Sequence, residues 1–152
     1  MAAAWHLAQF NVATAKFDDD DPRLAEFIEN LDRINGLGDE SPGAVWRFQN
    51  ATGHSVDVKA YDDPRILLNL TVWEDVASLW NYVYKTDHVE FLRRRREWFE
   101  METEPAVVMW WVPAGHRPTP AEGVERLEHL RSHGSSPYAF SFRDNHEPPV
   151  SR

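Results

Sequence analysis

The sequence predicts a single α+β domain with the element order β-α-β-β-α-β. Three observations carry this: its 152 residues match one ordinary domain, 42% of them are hydrophobic, and the apolar spacing alternates between strand and helix periods along the chain.

The first segment, Trp5 to Val12, is short and apolar and runs into the four aspartates from Asp18 to Asp21, a strand followed by a loop. Asp21 before Pro22 starts a helix whose stripe is Leu24, Phe27, Ile28, Leu31 and Ile34, with Gly36 and Gly38 expected to close it. Pro42-Gly43 opens a second strand, Ala44 to Gln49. A polar hairpin follows and leads to a third strand, Arg65 to Trp73. Helical spacing resumes with Val76, Leu79, Trp80, Val83 and Tyr84, breaks near Thr86-Asp87, and continues to Glu100. Ala106 to Val112 is the last strand of the unit, which completes the ferredoxin-like arrangement. Beyond it, Thr119 caps an appended helix with Pro120 at its first position, a stripe of Val124, Leu127 and Leu130, and Gly134 as its stop. Tyr138 to Phe142 is expected to add an edge strand. The domain is therefore drawn at 5–142, with a loose tail over 143–152.

Composition narrows the chemistry. The absence of cysteine removes thiolate nucleophiles, disulfides and cysteine-bound metals. A formal charge of −9 argues against a nucleic-acid partner, whose phosphates need a basic surface. No stretch is apolar enough to span a membrane and the start lacks the regions of a secretion signal, so a cytoplasmic location is expected. Seven Trp are more than a minimal core needs, and they fit a ligand cavity or a subunit interface better. No phosphate loop, nucleophile elbow or zinc-protease spacing is present.

The two central strands of such a sheet, the first and the third, differ from face to face. On the third strand Ile66, Leu68, Leu70 and Val72 form one apolar face and Leu67, Asn69, Thr71 and Trp73 a mixed one, and on the first strand Ala8, Phe10 and Val12 oppose Leu7, Gln9 and Asn11. Amides at a sheet centre are costly to bury unless paired with each other, with water or with a ligand, so Gln9, Asn11 and Asn69 point to a cavity. The plainer alternative is that they satisfy one another. His88, beside Asp87 and Glu90, is the candidate base, with a capping or surface role as its alternative. Of the run Arg93 to Arg96 at most one or two side chains can point inward, and an inward Arg93 could hold a carboxylate or phenolate. Trp110 and Trp111 must face opposite ways. His129 and His133 stand four apart and could share a metal, but no third ligand is suggested, so no metal site is assigned.

The segments Trp5 to Asn11, Asn69 to Glu74, Thr86 to Glu90 with the arginines and Trp98-Phe99 that follow, and Trp110 to Gly115 together resemble a bacterial domain-of-unknown-function family numbered 3291. That family is similar to the dimeric α/β-barrel superfamily, alongside antibiotic-biosynthesis monooxygenases and heme-degrading monooxygenases. The resemblance implies a homodimer, a pocket between sheet and helices, and a small aromatic or polyketide-type ligand. It fits a monooxygenase-like reaction without an organic cofactor, for which the residues read above offer Asn11, Asn69 and His88 as catalytic candidates and Gln9, Trp73, Arg93 and Trp110 as substrate-binding ones. Two alternatives stay open: a heme-binding protein with His88 or His6 as ligand, and a non-catalytic binding or interaction module. Against heme, the iron-ligand position of the heme degraders falls near Arg93 here.

Overall fold

The computed structural model describes residues 4–18, 20–48 and 65–149. Its elements are β1 (Trp5–Thr14), a 3-10 turn at Pro22–Leu24, α1 (Ala25–Glu40), β2 (Ala44–Arg47), β3 (Ile66–Trp73), α2 (Val76–Lys85), α3 (His88–Arg93), β4 (Val107–Pro113) and α4 (Pro120–His133). The four strands form one antiparallel sheet in the order β2-β3-β1-β4, so the β-α-β-β-α-β order folds as a ferredoxin-like sheet with β1 and β3 at its centre. The hairpin expected between the second and third strands lies outside the described residues, as does Gln49.

The pleat sends alternate residues to opposite faces, and each face has its own cover. Ala8, Phe10, Val12, Leu68, Leu70, Val108, Trp110 and Val112 pack beneath α4 through Leu127 and Leu130. On the other face Leu7, Trp73 and Met109 pack with Leu79 and Tyr82 of α2, and Ile34 and Leu37 of α1 close over them. A third cluster, Ala15, Leu24 and Trp98 with Phe27, Ile28, Phe91 and Phe99, ties the start of α1 to α3 and the segment after it. α1 therefore spans two clusters, which explains its length.

Several local expectations change. Gly36 and Gly38 do not end α1, which runs to Glu40 with Ser41 as its C-cap. Gly38 instead lets Tyr82 approach: a Cβ there would lie 3.1 Å from Tyr82 Cζ. On α2 the inward positions belong to Leu79 and Tyr82, while Trp80 and Tyr84, expected in the buried stripe, remain 44% and 40% exposed and meet Phe142 at the surface. Helical structure does not run on to Glu100: α3 stops at Arg93 and a 3-10 turn, Arg95–Glu97, follows. Tyr138 to Phe142 shortens to a single bridge to the sheet, in which Phe140 and Met109 exchange both backbone hydrogen bonds at 2.9 Å, beside a local bridge between Ala139 and Ser136. Within the segment expected to be loose, the His146 carbonyl accepts from Trp111 Nε1 at 2.8 Å.

Candidate functional site

The mixed face carries a row of polar side chains with a fixed direction. An indole N–H can only donate, so Trp73 Nε1 gives its proton to Thr71 Oγ1 at 2.8 Å. Thr71 in turn donates to Gln9 Oε1 at 2.9 Å, which turns the Gln9 amide nitrogen toward Asn11, where Nε2 donates to Oδ1 at 2.7 Å. Each acceptor is spent inward, so the end of the row presents Asn11 Nδ2 as a donor. Register places Asn69 directly opposite Asn11, and Thr71 opposite Gln9. Gln9, Thr71 and Trp73 are buried, whereas Asn11 and Asn69 keep access to solvent. Among the described residues the Asn69 side chain has no hydrogen-bond partner. The three amides expected to mark a cavity are thus neighbours on one face, two of them joined to each other.

Asn69 opens into a cleft of about 280 Å³ between β2, β3 and α1, lined also by Asn35, Asp39, Arg47, Thr71, Trp73 and Tyr82. Its aromatic wall is the Trp73 and Tyr82 pair, stacked with centroids 5.2 Å apart. The Tyr82 hydroxyl donates to the Ile34 carbonyl at 3.1 Å, and burial raises its pKa above the ordinary tyrosine value, so it stays a neutral phenol. At the rim Arg47 grips Asp39 through Nε at 3.1 Å and Nη2 at 3.0 Å, a two-bonded fork with the arginine side chain 13% exposed.

Arg47, Asp39, Thr71 and Tyr82 were not among the candidates from sequence. Alternation puts Thr71 between Asn69 and Trp73 on one face, and an arginine closing the short apolar strand Ala44 to Arg47 was the readable sign of an inward charge. Nothing in the sequence pairs Gly38 with Tyr82.

The remaining candidates lie elsewhere. His88 sits behind Tyr82, with ring centroids 4.9 Å apart, and its Nδ1 lies 3.2 Å from the Val83 carbonyl. Burial lowers its pKa, only partly offset by that hydrogen bond, so the imidazole is held neutral. Arg93 points outward, 69% exposed, and pairs with Glu90 at 2.8 Å. Trp110 belongs to the opposite face, fully buried under α4, with its Nε1 donating to Glu122 at 3.0 Å. Asn69 lines the cleft and Asn11 lies opposite it on the same face, whereas the same alternation aims Trp110 at the other face.

These placements do not fit heme at the cleft. His88 is engaged behind Tyr82, and His6 shares the strand parity of Ala8 and Phe10, on the face under α4. His129 and His133 stack at 4.3 Å, and no group of three or more His, Cys, Asp or Glu able to hold a metal occurs among the described residues. Nor is any helix among them long and apolar enough to cross a membrane.

Comparison with solved structures finds matches at low identity. A protein of unknown function from Nitrosomonas europaea aligns with 14% identity over 78% of this chain and 97% of its own, with a TM-score of 0.49. SnoaB, a cofactor-independent oxygenase from Streptomyces nogalater, gives 17% identity over 75% and 95%, with a TM-score of 0.48. A dabb family protein with a ferredoxin-like fold from Mesorhizobium loti gives 17% over 73% and 99%, with a TM-score of 0.46. No curated protein matches the chain. A family model does match, over residues 6–152: the chain belongs to the domain of unknown function family DUF3291.

Proposed function

We propose that the cleft binds a small, planar, oxygenated aromatic molecule and that the protein is a monooxygenase-like enzyme that oxidises it without an organic cofactor. The observation that carries this is the directed hydrogen-bond row from Trp73 to Asn11, with Asn69, opposite Asn11 and lining the cleft beside the Trp73–Tyr82 wall, left without a side-chain partner among the described residues. Two amide donors side by side suit one ligand oxygen, carbonyl or phenolic, while the stacked aromatic pair suits the ring that bears it. Charge that develops on that oxygen as an adjacent C–H is lost would be met by donors already in place. The resulting carbanion can pass electrons to molecular oxygen. For a ring methylene conjugated to a ketone, one methylene and one molecule of oxygen become one new carbonyl and one water. Both methylene C–H bonds and the O–O bond break, the substrate supplies all the electrons, and a peroxide intermediate loses the water. The carboxylate available to take the first proton is Asp39, shared with Arg47; His88 enters this reading only as the ring that backs Tyr82.

Oxygen uptake with anthrone as the probe tests the proposal. Uptake above the spontaneous rate, one oxygen molecule per anthraquinone formed, is expected, together with a loss of tenfold or more in Asn69→Ala and Asn11→Ala. Equal rates in wild type and both variants would remove the role assigned to the amides. The second reading is a non-catalytic binding module, favoured by the position of His88 behind Tyr82, which leaves no histidine base at the cleft among the described residues. Anthrone that quenches tryptophan emission yet is recovered unchanged under oxygen would select it.

A further inference from the structure

The helical wall of the cleft carries a polar group that has no part in the reaction proposed above. Asn69 stands in the sheet, on β3, while Asn35, Gly38 and Asp39 line the cleft from α1. Spacings of three and four residues put these three on one side of the helix. Ile34 and Leu37 occupy the neighbouring side and pack against the cluster that holds Trp73 and Tyr82.

The other polar side chains of the cleft are already committed. Both carboxylate oxygens of Asp39 accept from Arg47, Trp73 donates to Thr71, and the Tyr82 hydroxyl donates to the Ile34 carbonyl. Asn35 is different: it is half-buried, and its amide has no hydrogen-bond partner among the described residues. An asparagine inside a helix can turn back onto the preceding turn, as Asn30 does by donating to the Glu26 carbonyl at 2.8 Å. Asn35 makes no such bond. It is also a poorer helix former than alanine, so its place in the middle of α1 is not explained by the helix. Asn69 is likewise half-buried and without a side-chain partner among the described residues. The cleft thus has one open amide on its sheet wall and one on its helix wall.

Resting on the proposal that the cleft takes an oxygenated aromatic ring, we infer that Asn35 is a specificity-determining residue: it holds a second ligand oxygen, on the ring edge opposite the oxygen held at Asn69. The ligand class is then an aromatic with hydroxyl or carbonyl groups on opposite edges. An amide both donates and accepts, so Asn35 takes either group. A ring whose far edge is apolar would strip water from Asn35 and leave it unpaired, so the cleft discriminates against it.

Isothermal titration calorimetry of the full chain with 2-naphthol, 2,3-dihydroxynaphthalene and 2,6-dihydroxynaphthalene tests this. The three share one ring system and differ in having one oxygen, two on the same edge, or two on opposite edges. The 2,6-diol is expected to bind about fivefold or more tighter than either of the others, the worth of one net hydrogen bond. Asn35→Ala, which places a better helix former in α1, is expected to bring that ratio to about one. Asn69→Ala is expected to weaken all three probes. Equal affinities for the two diols in the wild type, or a preference for the 2,6-diol that survives in Asn35→Ala, would overturn the inference and leave the aromatic cleft standing. Absence of binding by every probe, or binding indifferent to Asn69→Ala, would remove the aromatic cleft and the inference together.

Discussion

Residue by residue, the polar row is where sequence, energetics and chemistry meet. Thr71 has an apolar residue of nearly its own shape in valine, so Thr71→Val isolates the hydroxyl. The change leaves a buried indole N–H and a buried amide oxygen without partners, each costing about 1 kcal/mol or more, so a loss of about 2 to 4 kcal/mol is expected in urea unfolding. A loss under about 0.5 kcal/mol would mean that the row is not formed in solution. His88 makes a separate statement about pH. Its folded-state pKa lies below the ordinary 6.5, so between the two values the unfolded chain holds more protons than the folded one. Its contribution is intact above pH 6.5 and is lost as the pH falls toward the lowered value. The urea midpoint of the wild type should drop from pH 7.5 to pH 5 by more than that of His88→Gln, and parallel curves would show that the imidazole is not desolvated. What was legible here was parity: alternation alone grouped Gln9, Asn11 and Asn69. What was hidden was partnership, because which amide is spent on a neighbour depends on the donor-only indole of Trp73 and the hydroxyl between them.

At the scale of elements, the glycines of α1 illustrate why a local rule gave way. Glycine is a poor helix former and a common stop, which is the reason Gly36 and Gly38 read as an end. The helix continues because Ile34 and Leu37 are needed over Trp73 and Tyr82, and because Gly38 is the one residue small enough to admit the tyrosine ring. The two positions should therefore respond oppositely to alanine. Gly36 has nothing within 4 Å of an added Cβ, so Gly36→Ala is expected to stabilise by about 0.5 to 1 kcal/mol through helix propensity. Gly38→Ala gains the same propensity but presses on a ring already held by Trp73 and the Ile34 carbonyl, so its melting temperature should fall below that of the wild type. Equal gains at both positions in a thermal melt would show that Tyr82 is free to move. The same logic rotated α2: helical spacing cannot tell Tyr82 from Trp80 until the position of Trp73 is known.

For the whole molecule, element order was enough to give the ferredoxin-like sheet, since strand parity and turn residues are local properties. The role of α4 was less visible. Its stripe of Val124, Leu127 and Leu130 announces a buried side, but the sequence does not say which surface that side meets. The answer depends on the shape of β1, where Phe10 requires a glycine above it. The last strand failed to lengthen for a related reason, since beyond the Phe140 bridge the chain turns back toward Trp111 and does not run along β4.

The unlike faces of the central strands also bear on how errors in assembly are rejected. Because side chains alternate, pairing β1 one residue out of step would bring Gln9 and Asn11 beneath Leu127 and Leu130 and turn Phe10 and Val12 toward the cleft. The misthreaded chain would bury two amides in hydrocarbon and set a phenyl ring among the polar side chains of the other face. The residues that prepare the cleft for a ligand thereby act as a proofreading device during folding, and a chain that has settled with its amides satisfied is one whose strands are correctly threaded.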